Sequence, residues 1–128
     1  APREETVPVA WKHPEKINPE FKAFYEAIVL ESGLSLPITS DWRSSESNTA
    51  AGGVPTSLHV LGSAVDVDLP PKNAKLCWQL TKAVMRVADR MGLETQVELE
   101  LVNSAKDTHA HVGLNPRAPG AKLIVRAD

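Results

Sequence analysis

Apolar residues recur at helical spacing in two stretches of the chain. The first stretch follows Asn18 and Pro19, a capping residue and a residue suited to the first helical position, and it ends at Gly33. The second runs from Asn73 to Gly92, which are again good capping residues. Its apolar stripe consists of Leu76, Leu80, Ala83, Val84, Val87, Ala88 and Met91. We predict one amphipathic helix in each stretch, packed against a core through its apolar side.

Short apolar or alternating segments between turn-forming residues predict strands in the rest of the chain. These strands comprise residues 36–42, 63–69, 97–102, 109–114 and, as a final edge strand, 123–126. Residues 43–57 are rich in Ser, Asn, Gly and Pro, and we predict a long surface loop there. This order of elements predicts an α+β fold, in which helices pack on one face of a small antiparallel sheet.

Length and composition are those of one globular unit. The chain has 128 residues, of which 42% are hydrophobic and 23% are charged. We predict a single domain over residues 1–128, in which residues 1–16 form an extended lead-in with three of the ten prolines. Cys77 is the single cysteine, so an intramolecular disulfide is excluded and the core has to hold the fold.

Charge and hydropathy exclude two classes of partner. The formal net charge is −2, with 14 basic and 16 acidic residues, so the basic excess typical of nucleic-acid-binding proteins is absent. No apolar run approaches the roughly 18 residues that a membrane span requires. We expect a monomer that binds no nucleic acid and does not insert into a membrane. Residues 1–5 lack the pattern of a secretion signal, so we expect a signal already removed or a separate route of delivery.

Three of the four histidines stand beside or within two of the predicted strands. Side chains at positions i and i+2 of a strand share a face. Asp66 and Asp68 therefore share one face of the second predicted strand, and His109 and His111 share one face of the fourth. Each of these strands buries an apolar face and presents an ionisable one. The fourth histidine, His13, lies in the lead-in, where we expect a surface residue.

If these two strands are neighbours, Asp66 and His111 converge on the sheet face away from the helices. His59 precedes Asp66, and Gly62 between them gives the chain freedom to fold His59 back onto the same place. Two imidazoles and one carboxylate suit Zn²⁺ with a fourth position open for water, as in catalytic zinc sites. The spacing alone leaves the alternative that these are solvent-facing strand residues without a metal.

Sequence motifs over residues 38–114 resemble those of the D-alanyl-D-alanine metallopeptidase family. The chain carries I-T-S-D-W-R at 38–43, the glycine pair at 52–53, and S-L-H-V-L-G-S-A-V-D at 57–66. The family pattern is "I-T-S-x-x-R", a loop of small residues, and "S-x-H-x-x-G-x-A-x-D". The wider superfamily includes lysostaphin-type endopeptidases and the zinc domain of hedgehog proteins, where the second histidine of an "H-x-H" strand supplies the third ligand.

The resemblance implies a role for five residues. His59, Asp66 and His111 match the three zinc ligands. Arg43 matches an arginine that contacts the carboxylate of the substrate or stabilises the developing oxyanion, and a fixed guanidinium suits both tasks. Ser57 matches the serine of the "S-x-H" element, which implies a hydrogen bond to the substrate or to the backbone of the site.

The resemblance leaves the general base open. Thr108 stands where many family members carry an acidic residue three positions before the ligand histidine, and a threonine cannot serve as the base. His109 is the residue we favour, because histidine changes its charge nearest to neutral pH. Asp107 is an alternative base or the group that orients His109. Glu98 and Glu100 are further candidates.

The resemblance implies zinc-dependent hydrolysis of a peptide bond in the stem peptides of bacterial peptidoglycan. Both an L-Ala–D-Glu endopeptidase and a D-Ala–D-Ala carboxypeptidase are consistent with it. The alternative is a zinc-binding module of the same superfamily that has lost catalysis and binds the cell wall or a protein. The small size resembles that of a bacteriophage endolysin, which would act in the periplasm or cell wall.

Overall fold

The computed structural model describes residues 9–50, 57–70, 73–103, 108–116 and 122–127. A 3₁₀ turn at Pro14–Lys16 precedes the first helix. The helices are α1 (Pro19–Ser32), α2 (Ser45–Ala50) and α3 (Ala74–Met91), and the strands are β1 (Ile38–Ser40), β2 (Ala64–Asp68), β3 (Val97–Asn103), β4 (Thr108–Leu114) and β5 (Lys122–Ala127). The predicted α+β fold is confirmed, and both predicted helices and all five predicted strands are present.

Local capping explains why α1 and α3 begin and end where the sequence predicts. The side-chain oxygen of Asn18 accepts hydrogen bonds from two main-chain amides in the first turn of α1, and Asn73 caps α3 with one such bond. Gly33 and Gly92 follow the two helices in the left-handed conformation, each with a φ of 70°. None of the helices in the described ranges combines the length and the hydropathy that a membrane span requires.

The five strands form one sheet in the order β1-β2-β4-β3-β5. The first four in this order pair antiparallel, as predicted, whereas β5 lies parallel to β3 at the edge. The predicted antiparallel sheet is therefore confirmed for four strands, and the edge strand β5 departs from it. β5 runs opposite to β4, but it lies at the edge of the sheet next to β3 and not next to β4. Because β3 already runs opposite to β4, β5 has to run parallel to β3.

The core lies between one face of the sheet and the two long helices. Val65 and Val67 of β2 are fully buried and lie opposite Val112 and Ala110 of β4. They pack in one cluster with residues of α1 and α3, among them Phe21, Phe24, Ile28, Val84 and Val87. Because side chains alternate along a strand, the polar residues of β2 and β4 face away from the helices. The opposite face of the sheet is thereby left for a polar site.

A short helix, α2, occupies part of the predicted loop 43–57, so that prediction is wrong over Ser45–Ala50. The side-chain oxygen of Ser44 accepts a hydrogen bond from the amide of Ser47 at 3.1 Å, which caps the first turn. This stretch contains neither Gly nor Pro, the two residues that disfavour a helical turn most strongly. Residues 51–56 of the predicted loop lie outside the described residues.

The N-terminal segment, residues 9–18, packs on α1 through Trp11. The Trp11 ring lies edge-on to Phe21 and Tyr25, with centroid distances of 6.2 and 5.6 Å. Its Nε1–H donates to the carboxylate of Glu26 at 3.3 Å. The predicted lead-in thus contains an anchored tryptophan and the 3₁₀ turn, where the sequence predicts an extended chain.

Candidate metal centre

Three predicted ligands, His59, Asp66 and His111, converge on the face of the sheet away from the helices. β2 and β4 are neighbours, and their register places Asp66 directly opposite His111. His59 precedes β2 in a turn that brings its ring to 5.3 Å from the His111 ring, measured between centroids. One ligand atom from each residue lies within 4.8 Å of the other two, close enough to share one metal ion.

Two glycines permit this convergence. Gly62 closes the turn with a φ of 69°, and a Cβ there would collide with the carbonyl oxygen of Lys16. Gly113 lies on the site face of β4, where a Cβ would come within 2.9 Å of Leu58 Cδ1. A side chain at Gly62 would therefore push the turn that carries His59 away from the main chain of Lys16, whereas a side chain at Gly113 would first displace the end of the Leu58 side chain.

The carboxylate of Asp66 lies between the two imidazoles. Its Oδ1 is 2.9 Å from His111 Nδ1, and its Oδ2 is 3.3 Å from His59 Nε2. Burial alone would raise the pKa of Asp66, but the hydrogen bonds and charges of His111 and His59 outweigh burial and hold that pKa below its ordinary value. Asp66 is therefore ionised at neutral pH, which is the form in which a carboxylate binds a metal.

A main-chain oxygen holds the ring of His59 in one orientation. Nδ1 of His59 lies 2.6 Å from the carbonyl oxygen of Asp41, and because a carbonyl only accepts, Nδ1 carries the proton. In the neutral ring, Nε2 then presents a lone pair to the Asp66 carboxylate, which also only accepts. Two acceptors facing each other at 3.3 Å are favourable only with a proton or a cation between them. Two imidazole nitrogens and a carboxylate fit a zinc ion.

Arg43 is fixed beside this carboxylate by contacts of both its side chain and its main chain. Its Nη2 lies 3.4 Å from Asp66 Oδ2, and its Nε donates to Ser40 Oγ at 3.1 Å. Its main-chain amide donates to the carbonyl oxygen of His59 at 3.1 Å. The side chain is 23% exposed, compared with 5% for that of His59, so the guanidinium is accessible to an anionic group of a ligand.

Two hydroxyl groups support the main chain of the ligands. Ser57 Oγ accepts a hydrogen bond from the amide of His59 at 3.2 Å, and Thr39 Oγ1 donates to the carbonyl oxygen of Asp66 at 3.2 Å. Of the two roles expected for Ser57, the structure contains the bond to the backbone of the site. Contact between Ser57 and a substrate stays a prediction.

The candidates for the general base lie on β3, on β4 and in the connection between them. His109 is two residues before His111 on the same face of β4, and the register places it opposite Asp68 of β2. Glu100 of β3 lies directly opposite His111. Asp107 lies outside the described residues. The catalytic roles expected for His109 and Asp107 stay predictions.

The contribution of Asp41 to the metal centre was not predicted from the sequence. This residue lies inside the I-T-S-D-W-R motif, yet nothing in the motif marks its side chain for a buried contact. The Asp41 side chain is fully buried, and its Oδ1 lies 2.7 Å from Nδ1 of His13. The side chain of His13 is 43% exposed, so the prediction of a surface residue holds only for part of the side chain, whose ring also contacts the buried Asp41. The position of Asp41 inside a motif linked to the site is the one sequence feature that could have indicated its role. The sequence around His13 has no such feature.

The sequence profile of the Peptidase M15 family matches residues 6–99. The chain belongs to the peptidase M15 family. The matched part contains His59 and Asp66 and ends before His111. The third ligand is therefore located by the pairing of β2 with β4, independently of the sequence match.

A solved structure shares this fold. The crystal structure of the L-Ala D-Glu endopeptidase ChiX from Serratia marcescens is similar with a TM-score of 0.57 and 22% sequence identity. The similarity covers 88% of this chain and 93% of that chain. At this identity, the likeness shows a common fold. None of the curated protein sequences compared with the chain matches it.

Proposed function

We propose that this chain is a zinc-dependent endopeptidase that hydrolyses the L-Ala–D-Glu bond in peptidoglycan stem peptides. The observation that carries the proposal is the convergence of His59, Asp66 and His111 in a member of the peptidase M15 family. The fold shared with an L-Ala D-Glu endopeptidase supports this bond. The D-Ala–D-Ala bond is the alternative within the same class.

The donor atoms and the arginine divide the chemistry. His59 Nε2, His111 Nδ1 and the Asp66 carboxylate are the atoms that would hold zinc. A zinc ion held there supplies Lewis acidity toward the scissile carbonyl and makes a water molecule nucleophilic near neutral pH. The guanidinium of Arg43 binds a peptide carboxylate or the oxygen on which negative charge develops, since Ser40 and Asp66 already fix its position.

Proton transfer is assigned to His109. Its place on the site face of β4, two residues from His111, puts it beside the metal ligands in the register. An imidazole takes the proton from the attacking water and delivers it to the leaving amine, because a ring nitrogen can accept a proton and then donate it. Asp107, adjacent to Thr108 in the sequence, is proposed to orient His109.

A zinc-binding module without catalysis is the competing candidate. The feature that favours it is Thr108, which stands where many relatives carry the acidic base. Such a module would bind zinc and peptidoglycan fragments but would release no amine. In either case, the proposed partner is a stem peptide, the proposed place of action is the periplasm or cell wall, and the proposed state is a monomer.

The test is amine release from purified peptidoglycan, with mass spectrometry of the fragments. We expect new amine termini from the zinc-loaded wild type, fragment masses that correspond to cleavage between L-Ala and D-Glu, and no release by His111→Ala. Lys82→Ala is the control, because Lys82 is exposed on α3 and lies away from the site. Fragments that have lost only a terminal D-Ala would reassign the bond. A silent, zinc-loaded wild type would overturn the enzyme proposal in favour of the non-catalytic module.

A further inference from the structure

Asp41, which directly follows β1, contacts the N-terminal segment through a carboxylate whose two oxygens each accept two hydrogen bonds. Its side chain is fully buried. Oδ2 accepts the main-chain amides of Lys12 at 2.6 Å and His13 at 3.0 Å. Oδ1 accepts His13 Nδ1 at 2.7 Å and the amide of Trp42 at 2.6 Å. Each oxygen thus receives two donors, which fixes both the side chain and the main chain of Asp41.

The main chain fixed in this way is the one that holds a metal ligand. The carbonyl oxygen of Asp41 accepts a hydrogen bond from His59 Nδ1 at 2.6 Å, in a buried contact. That bond determines that Nε2 of His59, and not Nδ1, faces Asp66. The carboxylate and the carbonyl of one residue therefore connect the N-terminal segment to the metal centre.

The N-terminal segment is itself anchored on two sides of this contact. Before it, Trp11 is packed on α1. After it, the amide of Asn18 donates to the carbonyl oxygen of Gly62 at 3.0 Å, in the turn that carries His59. Between these two anchors, two residues of the segment contact the ring of Trp42. The His13 ring lies edge-on to it with a centroid distance of 5.4 Å, and the Lys16 ammonium group lies 5.3 Å from its centroid.

We propose that Asp41 is a positioning residue for the metal, and that the N-terminal segment is a structural part of the metal centre. Asp41 holds its own carbonyl against His59 Nδ1 and so presents Nε2 of His59 to the ion in the competent tautomer and orientation. The inference rests on the zinc site of the proposed function. It does not depend on which bond is cut or on whether the chain is catalytic.

Asp41→Asn isolates this role because the amide is nearly isosteric with the carboxylate. Both carboxylate oxygens accept two donors, so the NH₂ group of an asparagine would face donors in either orientation. His13→Ala is a milder variant that removes the contacts of the ring with Asp41 and Trp42 and leaves the main-chain bonds to Asp41. Asp89→Asn is the matched control, since Asp89 is exposed on α3 and the charge change is the same.

The experiment measures the zinc dissociation constant of the full chain by competition with a chromophoric chelator. We expect Kd to rise about 10- to 100-fold for Asp41→Asn, as for other groups that orient a metal ligand, and to rise less for His13→Ala. Asp89→Asn should bind as the wild type does. Nitrogen-15 NMR of the metal-free protein should show His59 with its proton on Nδ1 in the wild type and a mixture of tautomers in Asp41→Asn.

Wild-type zinc affinity and an unchanged His59 tautomer in folded Asp41→Asn and His13→Ala would overturn the proposal. If Asp41→Asn does not fold, unchanged affinity and tautomer in His13→Ala alone would overturn it. A wild type that binds no zinc would overturn the site on which it rests. A wild type that binds zinc but releases no amine contradicts only the enzymatic function, so the two failures are distinguishable.

Discussion

At the scale of single residues, the polar face of the sheet offers different residues for metal binding and for the proposed proton transfer. The Asp66 carboxylate already contacts two imidazoles and the guanidinium of Arg43. It is therefore a poor acceptor for the proton of an attacking water. Within the described ranges, the pairing of the strands leaves His109 and Glu100 as ionisable residues next to the ligands on β3 and β4. Their chemistry differs, because an imidazole both accepts and donates near neutral pH.

We predict that His109→Ala lowers kcat about 10²- to 10⁴-fold, the usual contribution of a general acid–base group. The zinc affinity should stay unchanged, because His109 is not a ligand in this assignment. Glu100→Gln should change kcat far less. Steady-state kinetics on a purified stem-peptide fragment and zinc titration of both variants check this. The reverse order of the two kcat losses would assign proton transfer to Glu100.

At the scale of elements, features with local signals were predictable from the sequence, whereas features set by distant contacts were not. Asn18 and Gly33 mark the ends of α1 by their own conformations. The direction of β5 depends instead on where β3 lies in the sheet. The contact between His13 and Asp41 joins residues 28 positions apart, and no periodic pattern encodes it. The positions of the metal ligands were predictable only in part. The strand alternation put Asp66 and His111 on polar faces, but only the pairing of β2 with β4 brings them together.

The turn between His59 and β2 provides a test of the element that carries the first ligand. Gly62→Ala should lower the free energy of unfolding by about 3 kcal/mol and weaken zinc binding, since the main chain has to move away from Lys16. Gly33→Ala is the matched control. Gly33 has the same sign of φ, but its Cβ would meet nothing within 4 Å, so only the left-handed conformation costs about 1 kcal/mol.

Denaturant unfolding and zinc titration of the two alanine variants are the measurements. Equal losses of stability in Gly62→Ala and Gly33→Ala would show that the approach to Lys16 does not constrain the turn. A loss of stability in Gly62→Ala without any change in zinc affinity would separate the turn from the metal centre.

At the scale of the whole molecule, helices on one face of the sheet and ligands on the other allow the core and the site to be probed separately. The general α+β architecture followed from hydrophobic patterning, because Val65 and Val67 alternate with polar residues on β2. The position of the N-terminal segment could not be predicted in this way, because it depends on contacts of Trp11 and Asp41 with residues that are distant in the sequence.

Zinc removal should lower the melting temperature of the wild type and leave that of Asp66→Ala unchanged. An ion that binds only the folded state stabilises it by about 2.7 kcal/mol at a free concentration of 100 Kd. Thermal unfolding followed by circular dichroism, with zinc or with a chelator, measures the shift. Mg²⁺ should have little effect, because it prefers an all-oxygen octahedral shell. An equal zinc shift in wild type and Asp66→Ala would place the bound zinc elsewhere.

The separation of two ligands along the chain has a consequence for folding. Asp66 and His111 are 45 positions apart, with α3 and β3 between them. Closing a loop of that length costs the unfolded chain entropy, and pairings so distant in sequence form slowly. An ion shared by the two strands acts as a cross-link that forms only after β4 has docked beside β2. We therefore expect zinc capture to follow the docking of β4, so that a nascent or partly opened chain would lack the proposed activity until its fold is complete.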